Sequence, residues 1–291
     1  MSAWGLLCAV TAALMWGTSG SVIRIADSLG VGIVALNLAR ALFGSVALCT
    51  VALFRRNMRP DAPRVGFSVF LFLGAAGMVM SALGLTVAFL RISVGLAIVI
   101  YYSSPCLVMA GSWGLGGGRP SRVQAMAFIL ALVGIWIAVG GARAVGTFDT
   151  TGVVAALVGS AGYALFVLNG KFGTGRIDAF GSFFLTYLLS TAMLGVIAIA
   201  RGDICGLLDV SPQAWWVLFY LGIATSLIPY GLLVVSLRWI PGSTAAIATM
   251  TEVPFSMMWA WIISSEFPEA SAVTGGAIVL LAVGILGRSR R

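Results

Sequence analysis

Residues 242–254 read GSTAAIATMTEVP, and residues 95–105 read GLAIVIYYSSP. Each stretch opens with glycine, continues through mostly apolar residues and closes on a proline that follows polar side chains. Both belong to longer apolar segments, at residues 242–265 and 93–115. The pair is interpreted as two copies of one element, and the rest of the chain can be aligned on it.

Ten apolar segments of this kind fill the chain. They lie at residues 4–23, 31–54, 65–90, 93–115, 123–142, 151–170, 179–200, 213–237, 242–265 and 271–287. Each has roughly the 17–20 apolar residues that a helix needs to cross about 30 Å of hydrocarbon. With 60% hydrophobic and 9% charged residues, the chain cannot form a soluble domain with a charged surface. The sequence therefore predicts an all-α membrane protein with ten transmembrane helices, embedded in a lipid bilayer.

The charged residues lie almost entirely in the gaps between the segments. If the N-terminus is cytoplasmic, twelve of the 17 Lys and Arg residues are on that side, four are on the other, and Arg40 lies inside a segment. Such a bias over short loops follows the positive-inside rule, so both termini are predicted to be cytoplasmic. The net charge of +8 does not indicate a nucleic-acid partner, because a nucleic-acid binder gathers its basic residues on one face.

The chain aligns with itself at an offset of 147 residues, at which Trp16 meets Tyr163 and Arg24 meets Lys171. Further matches are Gly5 with Gly152, Arg91 with Arg238, Gly95 with Gly242 and, after small insertions, Pro105 with Pro254, Pro120 with Pro268 and Gly134 with Gly284. Five helices per half is an odd number, so the second copy enters the membrane from the opposite face. We therefore expect two inverted five-helix repeats, residues 1–146 and 147–291, an arrangement typical of secondary transporters. Duplication within a rigid membrane scaffold is the alternative.

Glu252 and Arg40 are the two charged residues that lie deep within their segments. At ~1.5 Å per residue, Glu252 lies about 15 Å and Arg40 about 13 Å from the entry of its helix. A lone charge there costs at least ~2.5–3.5 kcal/mol, so it should face a cavity or find a partner. One hypothesis is that Glu252 binds a substrate amine or a coupling proton, with Arg40 as its counter-ion or as a carboxylate clamp. The alternative is a structural ion pair between the two.

Pro105 and Pro254 predict helix kinks at equivalent places in the two halves. Each proline frees the carbonyl four residues earlier, and such breaks are tolerated in membranes where neighbours or water meet the freed group. Paired breaks point to a central site, although a bend for packing is the alternative. The other candidate substrate-binding residues share a depth near the bilayer centre: Trp16, Asn37, Tyr101, Ser104, Tyr163, Tyr230 and Thr249. Plain core packing is the competing explanation for the aromatic ones.

Several function classes are excluded or disfavoured. The sequence has no histidine, which removes a His-dependent membrane enzyme, and its gaps are too short for a nucleotide-binding domain. The glycine-rich residues 114–118 lack the Lys-Ser/Thr ending of a P-loop. We therefore expect no enzymatic activity, no cofactor and no metal.

A further set of short motifs runs through both halves: Leu14-Met-Trp16-Gly17, Asn37-Leu-Ala-Arg40, Gly95…Pro105, Gly242…Pro254, Gly134-Ile135, Gly284-Ile285 and Glu266. With these motifs the whole chain resembles the drug/metabolite transporter superfamily, and within it the ten-helix transporters with two EamA domains. The resemblance implies a central cavity lined by helices 1, 3, 4, 6, 8 and 9, with helices 5 and 10 peripheral and suited to a homodimer. It also implies export of amino acids or related metabolites across a bacterial inner membrane. Gly118, where an acidic residue is common, and the deep Glu252 depart from the pattern.

The sequence thus favours a secondary active transporter that exports a small amino acid-like or other amphipathic metabolite by alternating access. Protons are the candidate coupling ion, because Glu252 could bind proton and substrate competitively; facilitated diffusion or exchange would not need this. A multidrug exporter of lipophilic cations would use the same carboxylate and aromatic residues. A flippase for lipids or precursors would need a lateral opening. A receptor or structural subunit would have no need of the inverted repeat.

Overall fold

The computed structural model describes residues 2–54, 65–92, 94–141, 149–173, 179–203, 210–264, 267 and 269–288. These residues form helices and connections, with no β-strand among them. Some features used above lie outside the described residues: the arginines between residues 55 and 64, the repeat boundary at 146/147, Glu266 and Pro268.

Fourteen α-helices follow one another along the described chain. They are α1 Ala3–Trp16, α2 Ser19–Ser28, α3 Ile33–Phe54, α4 Val65–Arg91, α5 Val94–Tyr101, α6 Ser104–Gly114, α7 Arg122–Ala138, α8 Thr150–Leu168, α9 Ala179–Arg201, α10 Pro212–Gly222, α11 Ile228–Ser236, α12 Gly242–Ala248, α13 Glu252–Ser264 and α14 Ala270–Arg288. Shorter turns complete them: two π-helical turns, Asn169–Gly173 and Ile223–Leu227, and the 3-10 turn Thr249–Thr251.

Nine helical stretches of the described chain are long and apolar enough to cross a membrane. They are Ala3–Ser28, Ile33–Leu53, Val69–Arg91, Leu96–Gly114, Thr150–Gly173, Phe180–Arg201, Pro212–Ser236, Gly242–Ile263 and Ala270–Arg288. The remaining apolar helix, α7, has 17 residues and is shorter than the predicted segment 123–142. It ends at Ala138 because Gly140 and Gly141 follow in left-handed conformations, with φ of 95° and 60°.

The outer surface of the bundle is apolar. Large side chains such as Leu53 and Trp216 are 85% and 76% exposed. Exposed apolar area on this scale is unsuited to water and suited to the hydrocarbon of a bilayer, where each helix satisfies its own backbone hydrogen bonds.

Three of the spanning stretches are interrupted near their middles. The first is broken between Trp16 and Ser19, the fourth between Tyr101 and Ser104, and the eighth by the 3-10 turn Thr249–Thr251. Pro105 and Pro254 follow the last two breaks closely, and proline accounts for them because it removes an amide donor from the helical ladder. Polar backbone and side chains are therefore concentrated at mid-depth.

Glycine allows α4 and α8 to touch backbone to backbone. A Cβ on Gly77 would stand 2.6 Å from the Gly162 carbonyl oxygen, and a Cβ on Gly162 would stand 2.6 Å from the Gly77 carbonyl oxygen. Small residues at such crossings are the usual basis of tight helix packing in membranes. We name the two ends of the bundle by their basic residues: the Arg24 end, where α2 finishes, and the Lys171 end, where the π-helical turn after α8 finishes.

Candidate functional site

A cavity of about 400 Å³ enters the bundle from the Arg24 end. Its mouth is lined by residues at the ends of helices, namely Arg24, Asp27, Leu90 and Ala260. Its floor is lined by residues at mid-depth, namely Trp16, Met78, Tyr163, Tyr230 and Thr249. A pocket of this volume suits a small metabolite.

The wall of the cavity comes from more helices than the family resemblance implies. The lining includes residues of the first eight of the nine spanning stretches, among them Asn37 and Arg40 on α3 and Tyr187 on α9, two helices outside the expected set. Among the described residues, α7 and α14 contribute none; they pack against each other through Gly134 and Gly275.

Glu252 lies at the first position of α13, in the cavity wall, and is partly exposed to the cavity. The Tyr102 hydroxyl donates a hydrogen bond of 2.6 Å to its Oε2. The same hydroxyl lies 3.3 Å from the Thr249 carbonyl oxygen. Oε1 receives no hydrogen bond from any described residue, so half of the carboxylate is available to a ligand or a proton.

Arg40 lines the same cavity from α3 and is held differently. Its Nε donates to Ser226 Oγ at 3.1 Å, and its Nη2 donates to Thr225 Oγ1 at 3.4 Å. Both hydroxyls sit on the π-helical turn Ile223–Leu227, and such single turns are frequent at functional sites. The backbone carbonyl of Arg40 accepts a hydrogen bond of 3.5 Å from Tyr187.

Arg40 and Glu252 do not form the ion pair that the sequence left open. The ion pairs between described residues are Arg91 with Asp149 and Arg201 with Asp203, both outside the cavity. Each of the two charges is therefore stabilised by neutral hydroxyl groups, and below the mouth the cavity wall carries one cationic and one anionic group that do not neutralise each other.

Aromatic rings surround the floor of the cavity. The ring centroid of Trp16 lies 5.0 Å from that of Tyr230 and 6.3 Å from that of Tyr163, both edge to face. Tyr101 lies 5.8 Å from Tyr163 and 5.6 Å from Tyr102. The Tyr163 hydroxyl is hydrogen-bonded to Thr249 Oγ1 at 2.8 Å, so the rings are fixed in place. Electron-rich ring faces beside a carboxylate favour an organic cation.

Most of the sequence-predicted site residues line this one cavity, and one does not. Glu252, Arg40, Tyr101, Trp16, Tyr163, Thr249, Asn37 and Tyr230 line it. Asn37 uses its amide within the protein, donating to the Ile33 carbonyl oxygen at 2.9 Å. Ser104 is absent from the lining; it is fully buried, and its hydroxyl has no hydrogen-bond partner among the described residues.

Sequence reasoning left four residues of the site out of the candidate set. These are Tyr102, Tyr187, Thr225 and Ser226. The repeat offset could have found Tyr187, since it lies 147 residues after Arg40. Thr225 and Ser226 carry no such signal, because hydroxyl residues in membrane helices commonly bond their own backbone.

The Lys171 end of the bundle is closed by packing and hydrogen bonds. Every residue of α12 is buried. Gln124 donates to Ser243 Oγ at 2.8 Å and to Thr244 Oγ1 at 3.1 Å. Lys171 Nζ donates to the carbonyl oxygens of Leu237 at 2.7 Å and Ile240 at 3.2 Å.

Asp149 caps α8 at the opposite end, outside the spanning stretch. Its Oδ1 accepts a hydrogen bond of 3.0 Å from the Gly152 amide, and its Oδ2 lies 3.7 Å from Arg91 Nη1. The Gly152 amide, helped by Arg91, holds the pKa of Asp149 below its usual value of 3.8.

Comparison with known proteins agrees with this architecture. A crystal structure of a protein aligns over 98% of this chain and 98% of its own, with a TM-score of 0.78 at 16% identity, which shows a shared fold. No protein of curated function matches the sequence. The sequence profile of the EamA-like transporter family matches twice, over residues 3–140 and 150–288. The chain is a multi-pass membrane protein that belongs to the EamA-like family of the drug/metabolite transporter superfamily.

Proposed function

We propose that the protein is a secondary active transporter that exports a small amino acid-like or other amphipathic metabolite by alternating access. The observation that carries the proposal is the cavity. It reaches from the Arg24 end to two unpaired charges at mid-depth and stops there, above a closed Lys171 end. This is the form that a site open to one side of the membrane takes.

We propose a topology of ten spans with both termini in the cytoplasm. The charge bias of the sequence supports it, and α7 supplies the tenth crossing. At 1.5 Å per residue its 17 residues extend about 25 Å, close to the thickness of the hydrocarbon core. In this orientation the Arg24 end faces the periplasm of a bacterial inner membrane, and the cavity is open outward.

Three contacts between residues 147 positions apart support the division into inverted halves, residues 1–146 and 147–291. They are the ring contact of Trp16 with Tyr163, the hydrogen bond from Tyr187 to Arg40 and that from Tyr102 to Thr249. Residues related by a two-fold axis meet only where that axis passes. The pseudo-symmetry axis would then run through the cavity floor, where a site used by both access states belongs.

The two charges define the chemistry of the substrate. Glu252, with its free Oε1 and neighbouring rings, would bind an amine, and Arg40 would bind a carboxylate. The apolar body would lie against the rings. A proton that competes with the amine for Glu252 would couple export to the proton gradient.

Counterflow in proteoliposomes tests the proposal. Purified protein is screened with labelled amino acids, polyamines and cationic dyes, and Glu252→Gln is measured beside it at several pH values. We expect one class to exchange across the membrane and the variant to lose both rate and pH dependence. A variant with unchanged rate and pH dependence would exclude coupling through Glu252, and the absence of any counterflow would contradict transport of these classes.

Export of lipophilic cations is the second candidate, because the rings stand beside the carboxylate. The two candidates differ at Arg40. A carboxylate-bearing substrate needs its charge, whereas a lipophilic cation is repelled by it. A homodimer through α7 and α14 stays a prediction of the family resemblance.

A further inference from the structure

Lys171 and Arg24 both lie away from the cavity floor, Lys171 at the closed end of the bundle and Arg24 at the mouth of the cavity. We infer that they are alternating latches of the transport cycle. Lys171 holds the Lys171 end shut in the conformation seen here, and Arg24 shuts the opposite end in the other conformation by binding carbonyl groups where α4 finishes. The inference rests on the proposed function, since latches matter only where access alternates.

The Lys171 latch is formed in this structure. The ammonium group bridges the π-helical turn after α8 to the link between α11 and α12. One of its acceptors, the Leu237 carbonyl, belongs to the C-cap of α11, where the helix leaves carbonyls unpaired and carries a partial negative charge. Among the described residues no carboxylate competes for this ammonium group. A charge-assisted hydrogen bond of 2.7 Å therefore ties the turn after α8 to the end of α11.

The offset of 147 residues places counterparts of Lys171 and of the helix end that it binds at the Arg24 end. Arg24 is the counterpart of Lys171, and Leu90 is the counterpart of Leu237. Here, however, both Arg24 and Leu90 are exposed at the cavity mouth. Arg24 makes no hydrogen bond or ion pair with any described residue. The guanidinium group of Arg24 is thus a free donor at the cavity mouth. The end of α4, which corresponds to the helix end that Lys171 binds, lies at the same mouth.

The surroundings of the two helix ends are also matched. A Cβ on Gly5 would approach Ile240 and Trp239 at 2.9 and 3.0 Å. A Cβ on Gly152, the counterpart of Gly5, would approach Ile92 and Arg91 at 2.7 and 2.8 Å. Each half therefore packs its first helix against the corresponding link of the chain, and the framework that Arg24 needs is already present.

Topology signalling does not account for Arg24. The positive-inside rule places basic residues on the cytoplasmic side, and Arg24 is one of the four on the other side in the predicted orientation. The latch explains why a basic residue stands at the counterpart of Lys171, beside an open mouth.

Cysteine labelling in nanodiscs tests the latches without any substrate. The four natural cysteines are replaced, and single reporters are placed by Ile98→Cys or Ala245→Cys. These positions are counterparts: Ile98 lines the cavity, and Ala245 is fully buried. The reaction rate with a polar maleimide is measured for each reporter with Lys171→Met, with Arg24→Met and with both changes.

We expect Lys171→Met to raise the labelling rate of the Ala245→Cys reporter on the order of tenfold, as suits loss of a charge-assisted hydrogen bond, and to lower that of the Ile98→Cys reporter. Adding Arg24→Met to Lys171→Met should return both labelling rates toward those of the protein that keeps Lys171 and Arg24, because both latches are then lost. Lys171→Arg, which keeps the charge, and Arg238→Met, which removes an exposed charge beside Leu237, should leave the rates unchanged.

A parallel rise of both reporters would mean a loosened fold and would overturn the inference, as would unchanged rates or a failure of Arg24→Met to compensate. If counterflow finds a substrate while the reporters do not respond, the latches are wrong and transport stands. If the reporters exchange accessibility and no substrate is moved, the alternating access stands and the proposed substrate classes are wrong.

Discussion

Arg40 and Glu252 are two charged residues of the same cavity, but the protein satisfies their hydrogen-bonding capacity to different degrees. Arg40 spends two donor groups on Ser226 and Thr225. Glu252 receives one hydrogen bond, from Tyr102, and keeps Oε1 free of the described residues. A buried charge with few partners is costly, so the arrangement indicates which group is reserved for something that binds and leaves. By this criterion Glu252 is the group that binds and releases a ligand or a proton, and Arg40 is the group that the protein holds in place.

Replacing Glu252 should have the largest effect. We expect Glu252→Gln to lower the transport rate on the order of 100-fold, because it removes one partner of a buried charge interaction while keeping the shape. Initial rates of counterflow into proteoliposomes measure this. Glu269→Gln, at an exposed acid outside the spans, is the matched control and should retain full activity.

Changing Arg40 should separate selectivity from stability. We expect Arg40→Met to lower transport of a carboxylate-bearing substrate about tenfold more than that of the corresponding amine without the carboxylate, since it removes a charge-assisted contact. Arg40→Lys should recover part of the difference. Equal losses for both substrates, together with a lower melting temperature, would assign Arg40 a purely structural role on the π-helical turn.

Removing the Tyr102 hydroxyl should have a smaller effect. We expect Tyr102→Phe to weaken substrate binding about fivefold to tenfold, because Glu252 loses the hydrogen bond that orients it. Equilibrium binding to the purified protein measures this. The control is Tyr220→Phe, which removes a hydroxyl that is hydrogen-bonded to Thr18 and does not line the cavity. Equal losses of substrate affinity in the two variants would contradict the prediction.

Asp149 lies just outside the spanning stretches and provides the reference for Glu252, which lies inside one; replacing Asp149 should have the smallest effect. Its pKa is depressed in the folded protein, so its charge stabilises the fold above the ordinary value of 3.8, and this contribution is lost as the pH falls through the lower, folded value. We expect Asp149→Asn, which keeps a capping side chain, to lower the melting temperature slightly at pH 7. The difference should vanish in acid; a difference that persists at every pH would assign the loss to the cap geometry.

The depth of a charge could be predicted from sequence, but its partners could not. Segment lengths were enough to place Arg40 and Glu252 at mid-depth, where both line the cavity. Whether they pair depends on helix rotation and on side chains from other spans. The hydroxyls that hold Arg40 lie 185 and 186 residues away in sequence, on a turn whose π-helical form has no clear sequence signature.

The helices were also predicted less well at their ends than in their middles. The apolar run through residues 123–142 does not reveal that α7 ends at Ala138, because glycine is common in membrane helices and only its conformation ends the helix. Ser104 shows a similar limit. It lies next to Pro105 on a polar stretch, yet the turn that starts α6 directs it into the interior and away from the cavity.

The contacts across the proposed pseudo-symmetry axis join unlike residues: Trp16 with Tyr163, Arg40 with Tyr187, Tyr102 with Thr249. If the partners in each contact were identical, the outward-facing and inward-facing sites would present the same chemical groups. Unlike partners make the two sites chemically distinct, so a substrate meets a different set of groups from each side. We therefore expect unequal Michaelis constants at the two faces of an oriented vesicle. With unequal constants, the transporter would bind substrate on the cytoplasmic side at a concentration quite different from the one at which it binds substrate on the outer side.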